Sequence, residues 1–171
     1  MATTTTFSFR RLNFWTIGVI VVIDQIVKQL VGSRLAEFQS VVVIPELLSL
    51  TRVHNTGVAY GFLNGVEFPG KTVILALIAA AALVALAMYA AALDDDQRLT
   101  RTGLSFVIGG AAGNMIDRLR FGYVLDFVDV YQNGWHFWAF NVADAAITAG
   151  VVLMILDILR GMRRPRVSRA V

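Results

Sequence analysis

The chain contains no cysteine. That excludes a disulfide framework, cysteine-ligated zinc and a thiol nucleophile. Charge is also scarce: Asp, Glu, Lys and Arg make up 16% of the 171 residues, where a soluble domain carries about 25%. Hydrophobic residues reach 57% and the mean hydropathy is +0.66, a balance that suits a bilayer better than water. The two histidines, His54 and His136, stand far apart and make no His-x-x-x-His zinc pair, which argues against a metalloprotease. Ser105 has no lysine on its helix face to form a Ser–Lys dyad. The net charge of +3 comes from arginine clusters near the ends, not from a basic face on a soluble domain, so no nucleic-acid partner is expected.

What is present are long apolar runs. A span takes roughly 20 apolar residues, and four stretches fit: 13–33, 71–93, 101–119 and 142–160. The expected fold is therefore membrane α-helical, one integral domain of four transmembrane helices over 1–171. Arg10 and Arg11 precede the first run as they would in a cleaved signal peptide. That run contains Asp24 and Lys28, however, and no small-x-small site follows, so a retained helix is expected. Residues 34–69 form a polar, β-like excursion. Val41 to Ile44, stopped by Pro45, reads as one strand, and the alternation of Ser49 to His54 as another. Gly57, Gly61 and Gly65 punctuate the remainder. Residues 120–140 form a second, aromatic excursion, and 161–171 a basic tail. Arg10, Arg11, Arg98, Arg101, Arg160, Arg163, Arg164, Arg166 and Arg169 fall on one side of a four-span topology. That side is expected to be cytoplasmic, with both termini there and both excursions outside. Arg34, Arg52, Lys71, Arg118 and Arg120 on the other side make the bias incomplete.

The polar residues of the apolar runs gather at the outer end. Asp24 and Lys28 lie in the outer half of the first run. Asn114, Asp117 and Arg118 close the third, Asn141 and Asp144 open the fourth, and Asp126 follows the third by a few residues. Asn55 belongs to the first excursion. Carboxylates at a bilayer edge are expensive and mark functional sites. Two that meet, Asp126 and Asp144, suit a shared proton and aspartic-type hydrolysis. The plainer readings are specific. Asn141-x-x-Asp144 suits a helix N-cap with an acid in the first turn, a role compatible with chemistry. Asp129 rivals Asp126. Asp24 and Lys28 are i,i+4 and make an ordinary ion pair. Asn55 suits a turn, Asn114 a helix contact, and Asp117-Arg118 a surface pair. Trp135 and Trp138 suit interfacial anchors, and Asp157 a partner for Arg160. A proton-coupled transporter or channel subunit is the alternative function, and it would spread its acids across the bilayer instead of collecting them at one end.

Five blocks together resemble signal peptidase II, the bacterial lipoprotein signal peptidase. They are Asp24-Gln25-x-x-Lys28, Asn55-Thr56-Gly57-x-Ala59, Asn114-Met115-Ile116-Asp117-Arg118, Gly122-Tyr123-Val124-Leu125-Asp126-Phe127 and Phe140-Asn141-Val142-Ala143-Asp144. They occur in order along the whole chain. Met115-Ile116, Tyr60 and Ala145 depart from the usual pattern without removing a proposed catalytic group. The resemblance implies an aspartyl endopeptidase with Asp126 and Asp144 as the catalytic pair. It implies substrate binding or site support from Asp24, Lys28, Asn55, Gly57, Asn114, Arg118 and Asn141. Neither metal nor organic cofactor is implied. The implied substrates are diacylglyceryl-modified prolipoproteins, cut before the lipidated cysteine. The implied inhibitor is globomycin, and the implied setting a monomer among the lipids of the bacterial inner membrane, with its active site at the periplasmic face. A small extracytoplasmic β-rich platform from 34–69 and a flap from 120–140 complete the expectation.

Overall fold

A computed structural model describes residues 12–57, 62–66, 68–93 and 97–162. Arg10, Arg11, Ala59, Tyr60, Gly61 and the basic residues from Arg163 onward lie outside the described residues. The apolar runs form helices where expected. Helix α1 covers Phe14–Arg34, α2 Lys71–Ala92, α3 Arg98–Phe121 and α4 Val142–Met162. Asn13 starts α1, its Oδ1 accepting from Thr16 N at 3.2 Å. Gly122 ends α3 in the left-handed conformation (φ 82°), its N–H returning to Arg118 O, a stop that a residue without Cβ makes cheaply.

Among the described residues, α1, α2 and α4 are long and apolar enough to cross a membrane. Helix α3 is not one of the three. It is the hub of the bundle, and its sequence reflects that position. It gives up side-chain bulk for glycine and carries polar groups inward. A Cβ on Gly103 would lie 2.5 Å from Gly150 O of α4, and one on Gly109 3.1 Å from Ile20 of α1. A Cβ on Gly113 would lie 2.6 Å from Asp24 Oδ2. Backbones approach this closely only where side chains are small. The contacts also set direction. Ile17 and Ile20 lie against Gly109 and Asp24 against Gly113, so α1 and α3 run parallel. Gly103 meets Gly150 and Gly110 meets Ala143, so α4 runs antiparallel. Thr72 donates to Gly122 O at 3.4 Å, which sets the start of α2 beside the end of α3.

The loops at this end build an antiparallel sheet in the order β1 (Ser40–Ile44), β2 (Leu48–Asn55), β3 (Val124–Gln132) and β4 (Trp135–His136). The two strands read from 34–69 are present. The 120–140 stretch is not one flap-like unit, because its first half is the strand that pairs with β2, from Leu48↔Val130 to Asn55↔Val124. Leu125 and Phe127 pack with Val31 of α1 in one apolar cluster, so β3 cannot lift without exposing that core. Beyond the start at Arg120 and Phe121, the exposed part of the stretch is 132–138. At the opposite end, Asp157 accepts from Thr100 N at 3.0 Å and Thr100 Oγ1 at 2.7 Å. It caps α3, where the sequence suggested a pairing with Arg160.

Candidate active site

Four elements converge where α3 ends and α4 begins. Asn141 caps α4: its Oδ1 accepts from Asp144 N at 3.0 Å, while Asp144 Oδ2 takes Asn141 N at 3.3 Å. This reciprocal pair is a capping box. Between them, Ala143 N donates to Asp24 Oδ1 of α1 at 2.9 Å. The cap read from the sequence is therefore present, and it holds Asp144 in a fixed orientation.

The Asn141 side chain also reaches the sheet. Its Nδ2 lies 2.6 Å from Asp126 Oδ1 and 3.1 Å from Asn114 Oδ1. Asn114 Nδ2 donates to Asp144 Oδ1 at 2.8 Å. Asn55, the last residue of β2, donates to Asp126 Oδ2 at 2.9 Å, while its Oδ1 accepts from Gly57 N at 2.9 Å. Two asparagines, Asn141 and Asn114, thus link the two carboxylates and a third, Asn55, holds Asp126, with each amide's orientation fixed by its neighbours. Arg118 Nη2 donates to Gly57 O at 2.9 Å. A Cβ on Gly57 would run into Phe62 O and lie 2.7 Å from Asn64 N, so a glycine is required where the loop closes on this site.

Behind the amides lies a buried ionic group. Lys28 Nζ bonds Asp24 Oδ2 at 2.9 Å, Asp117 Oδ2 at 2.9 Å and Asn114 Oδ1 at 2.8 Å, which uses all three of its donors. Gln25 Nε2 donates to Asp117 Oδ1 at 2.8 Å, and Asp117 Oδ2 also accepts from Leu125 N at 3.2 Å. Asp24 is 0%, Asp117 1% and Lys28 4% exposed, so charges that would be costly alone are paired and bonded. The i,i+4 pair of the sequence is real but incomplete. Asp117 and Gln25 are the residues the sequence reading undervalued. Their signal lay in the Asp24-Gln25 and Asp117-Arg118 adjacency, but only the parallel packing of α1 on α3 joins the two.

Asp126 is 2% exposed. Burial and the neighbouring Asp144 charge push its carboxyl up to about 7, against the pull of the Asn55 and Asn141 amides and of Lys28. Such a group keeps a proton near neutrality. Its rival Asp129 points elsewhere, to Ser49, Thr51 and His136. A cavity of about 920 Å³ opens over the two carboxylates. Asn55, Asn114, Arg118, Asp126 and Asp144 supply its polar end, and Phe137, Trp138 and Phe140 one wall. Ala79 of α2, Ala111 of α3 and Ile147, Val151 and Val152 of α4 extend it as an apolar trough. Trp138, read as an anchor, therefore borders the site. Among the described residues, no three His, Asp or Glu side chains gather as a metal-ligating group.

Two carboxylates joined through a pair of amides at the mouth of a bundle of membrane-length helices define a class: integral membrane proteins with a buried acid pair. The profile of the signal peptidase (SPase) II family matches residues 16–160. The lipoprotein signal peptidase of Geobacter metallireducens is 44% identical over 147 residues, covering 86% of this chain and 90% of that protein. The lipoprotein signal peptidase of Pseudomonas aeruginosa is 38% identical over 157 residues, 91% of this chain and 92% of that protein. A bacterial membrane enzyme solved by the in meso method at 2.3 Å superposes with a TM-score of 0.78 at 29% identity, covering 92% of this chain and 93% of the other. The chain belongs to the signal peptidase II family, and is a membrane protease of the lipoprotein signal peptidase type.

Proposed function

We propose that Asp126 and Asp144 are the catalytic pair of an aspartyl endopeptidase acting on diacylglyceryl-modified prolipoproteins, cutting just before the lipidated cysteine. The observation that carries this reading is the Asn114–Asn141 amide pair, which bonds both carboxylates at once. The pair works with one shared proton. The ionised carboxylate takes a proton from a water that attacks the scissile carbonyl. The protonated one polarises that carbonyl and then helps protonate the leaving amine. Arg118 and the asparagines offer donors to substrate and oxyanion, where one positioned donor is worth about 3 kcal/mol. Asp24 and Lys28 act from behind, by holding α4 and Asn114, and Gly57 by giving its carbonyl to Arg118.

The lipid tails lie in the apolar trough beside α4, entered sideways from the bilayer. Residues 133–140 form the flap over the cavity. Helix α3 is the fourth span: 24 residues reach about 36 Å, and its flanking helices replace the lipid contact its own sequence lacks. The whole chain is one membrane unit in the bacterial inner membrane. Its termini and the Arg98–Arg101 end are cytoplasmic, and the sheet is the periplasmic platform. It acts as a monomer and is inhibited by globomycin. The test is cleavage of a diacylglyceryl-cysteine prolipoprotein peptide by purified protein in detergent. Wild type cuts before the modified cysteine, and Asp126→Asn and Asp144→Asn, each shown to be folded, do not. Cleavage surviving either change would remove that aspartate from the pair.

A further inference from the structure

A second ionisable cluster lies on the sheet away from the two carboxylates. Asp129 of β3 is 8% exposed. Its Oδ2 accepts from Ser49 Oγ at 3.1 Å, with Thr51 Oγ1 3.4 Å away, so β2 fixes this carboxylate in place. Its free side faces β4. His136 Nδ1 sits 3.0 Å from both carboxylate oxygens, a geometry in which an Nδ1–H would be shared between them. The imidazole also stacks on Tyr131 at 5.2 Å between centroids.

This contact lies at the root of the cavity's aromatic wall. Asn133 and Gly134, both at positive φ (50° and 77°), turn the chain in a two-residue hairpin of the favoured primed kind. The two residues of β4 follow, and then Phe137, Trp138 and Phe140 line the cavity. Backbone bonds fasten that wall to β3 at Phe137 N→Val130 O (2.8 Å) and, at its far end, around Phe140, whose N–H donates to Val128 O (3.1 Å) and whose O accepts from Phe127 N (3.0 Å) and Val128 N (2.8 Å). So short an edge strand is marginal by itself. Trp138 remains 58% and Phe137 39% exposed, so the wall buries little apolar area that would hold it.

We infer that the Asp129–His136 pair is a latch that holds the aromatic wall docked against β3, and that His136 is a positioning residue for substrate binding. It does not line the cavity and acts through the wall. The inference rests on the proposed protease reading for what the cavity binds, but the latch itself is testable without substrate. A side-chain anchor shifts the fraction of molecules with the wall docked, and apparent affinity scales with that fraction.

The experiment uses the full chain in detergent and compares wild type, His136→Ala, His136→Asn and Asp129→Asn. His136 is more than half exposed on its side chain, so its removal leaves the fold intact. Asparagine places an amide nitrogen where Nδ1 stood. Amide hydrogen exchange at residues 137–140 is read first. It should quicken about three- to tenfold in His136→Ala and return to within about twofold of wild type in His136→Asn. With the prolipoprotein peptide, KM should rise by a similar factor in His136→Ala while kcat stays within about twofold. Asp129→Asn keeps an acceptor for Nδ1–H and should fall between. Exchange unchanged in His136→Ala overturns the latch, as does equal acceleration in His136→Asn, which would make ring bulk the cause. Failure of wild type to cleave, with the exchange pattern intact, overturns the protease reading and leaves the latch standing.

Discussion

Asn55 should control the alkaline side of the pH profile. Its Nδ2 donates to Asp126 Oδ2 at 2.9 Å, a bond that favours the ionised carboxylate. Burial and Asp144 together outweigh it and bring the Asp126 carboxyl to about 7. Replacing Asn55 by alanine removes a stabiliser of the charged form, so the shared proton is held to higher pH. A hydrogen bond to a charged group contributes about 1.5 kcal/mol, and one pH unit corresponds to about 1.36 kcal/mol. The upper apparent pKa of the coupled pair should therefore climb by about one unit. The assay is kcat/KM for the prolipoprotein peptide from about pH 5 to about pH 9, which reports the free enzyme. The alkaline midpoint should move from near 7 toward 8, whatever happens to the plateau. Asn55 is half-buried at the end of β2, whereas Asn141 is 0% exposed, so the variant disturbs one carboxylate and spares the bundle. Water admitted by the smaller side chain acts in the opposite direction, by easing the burial of charge. A midpoint that stays put or falls would refute the claim that this amide holds the carboxylate.

Four further outcomes follow from the same geometry. Lys28→Met leaves Asp24 and Asp117 buried without their cation and should cost about 3–5 kcal/mol; thermal unfolding in detergent checks it, and a loss below about 1 kcal/mol would contradict the pairing. Asp126→Asn should abolish cleavage and remove the pH dependence that this carboxyl gives the fold, while its amide meets the Asn55 and Asn141 donors at a cost that is the same at every pH. The raised carboxyl favours the protonated fold, so its stability cost appears as pH rises from the ordinary carboxylate range through about 7. Between pH 4 and pH 8 the variant should gain on the order of 2–4 kcal/mol relative to wild type, and equal melting shifts at both would sink it. Gly113→Ala puts a methyl 2.6 Å from Asp24 Oδ2 and should cost about 1–3 kcal/mol. Gly18→Ala, with nothing within 4 Å of its Cβ, should be neutral or stabilising by up to about 1 kcal/mol in the same melt.

Local features of the fold were legible where local chemistry decides them. Apolar runs mark the four helices, a β-branched run stopped by Pro45 marks β1, and alternation marks β2. Strand β3 escaped because its Val124 to Phe127 run is buried on a partner some 70 residues earlier, which removes the alternation of a half-exposed strand. Helix α3 reads as the apolar run 101–119, but its glycines and inward polar groups mark a hub that other helices surround. The site followed the same division. Asn141 with Asp144 announces a cap within four residues, and Asp24 with Lys28 an ion pair within five. That Asp117 completes the ion pair, that Asp24 caps a helix 119 positions later, and that Trp138 walls the cavity all depend on packing between segments.

The direction of the amide bonds has a consequence for how this chain can vary. Lys28 donates to Asn114, Asn114 to Asp144, and Asn141 to both Asn114 and Asp126. Every donor along that path faces an acceptor, and reversing one group sets two like partners against each other. Asn114→Asp would set carboxylate against carboxylate at Asp144, and Lys28→Gln would bring two donors to the three acceptors that Lys28 serves. Residues such as Trp15 and Leu77, 84% and 64% exposed on the outer faces of the helices, carry no such ordering. The shell of this protein can therefore drift one residue at a time, whereas its interior can change only by substitutions that arrive together and restore the order of donors and acceptors.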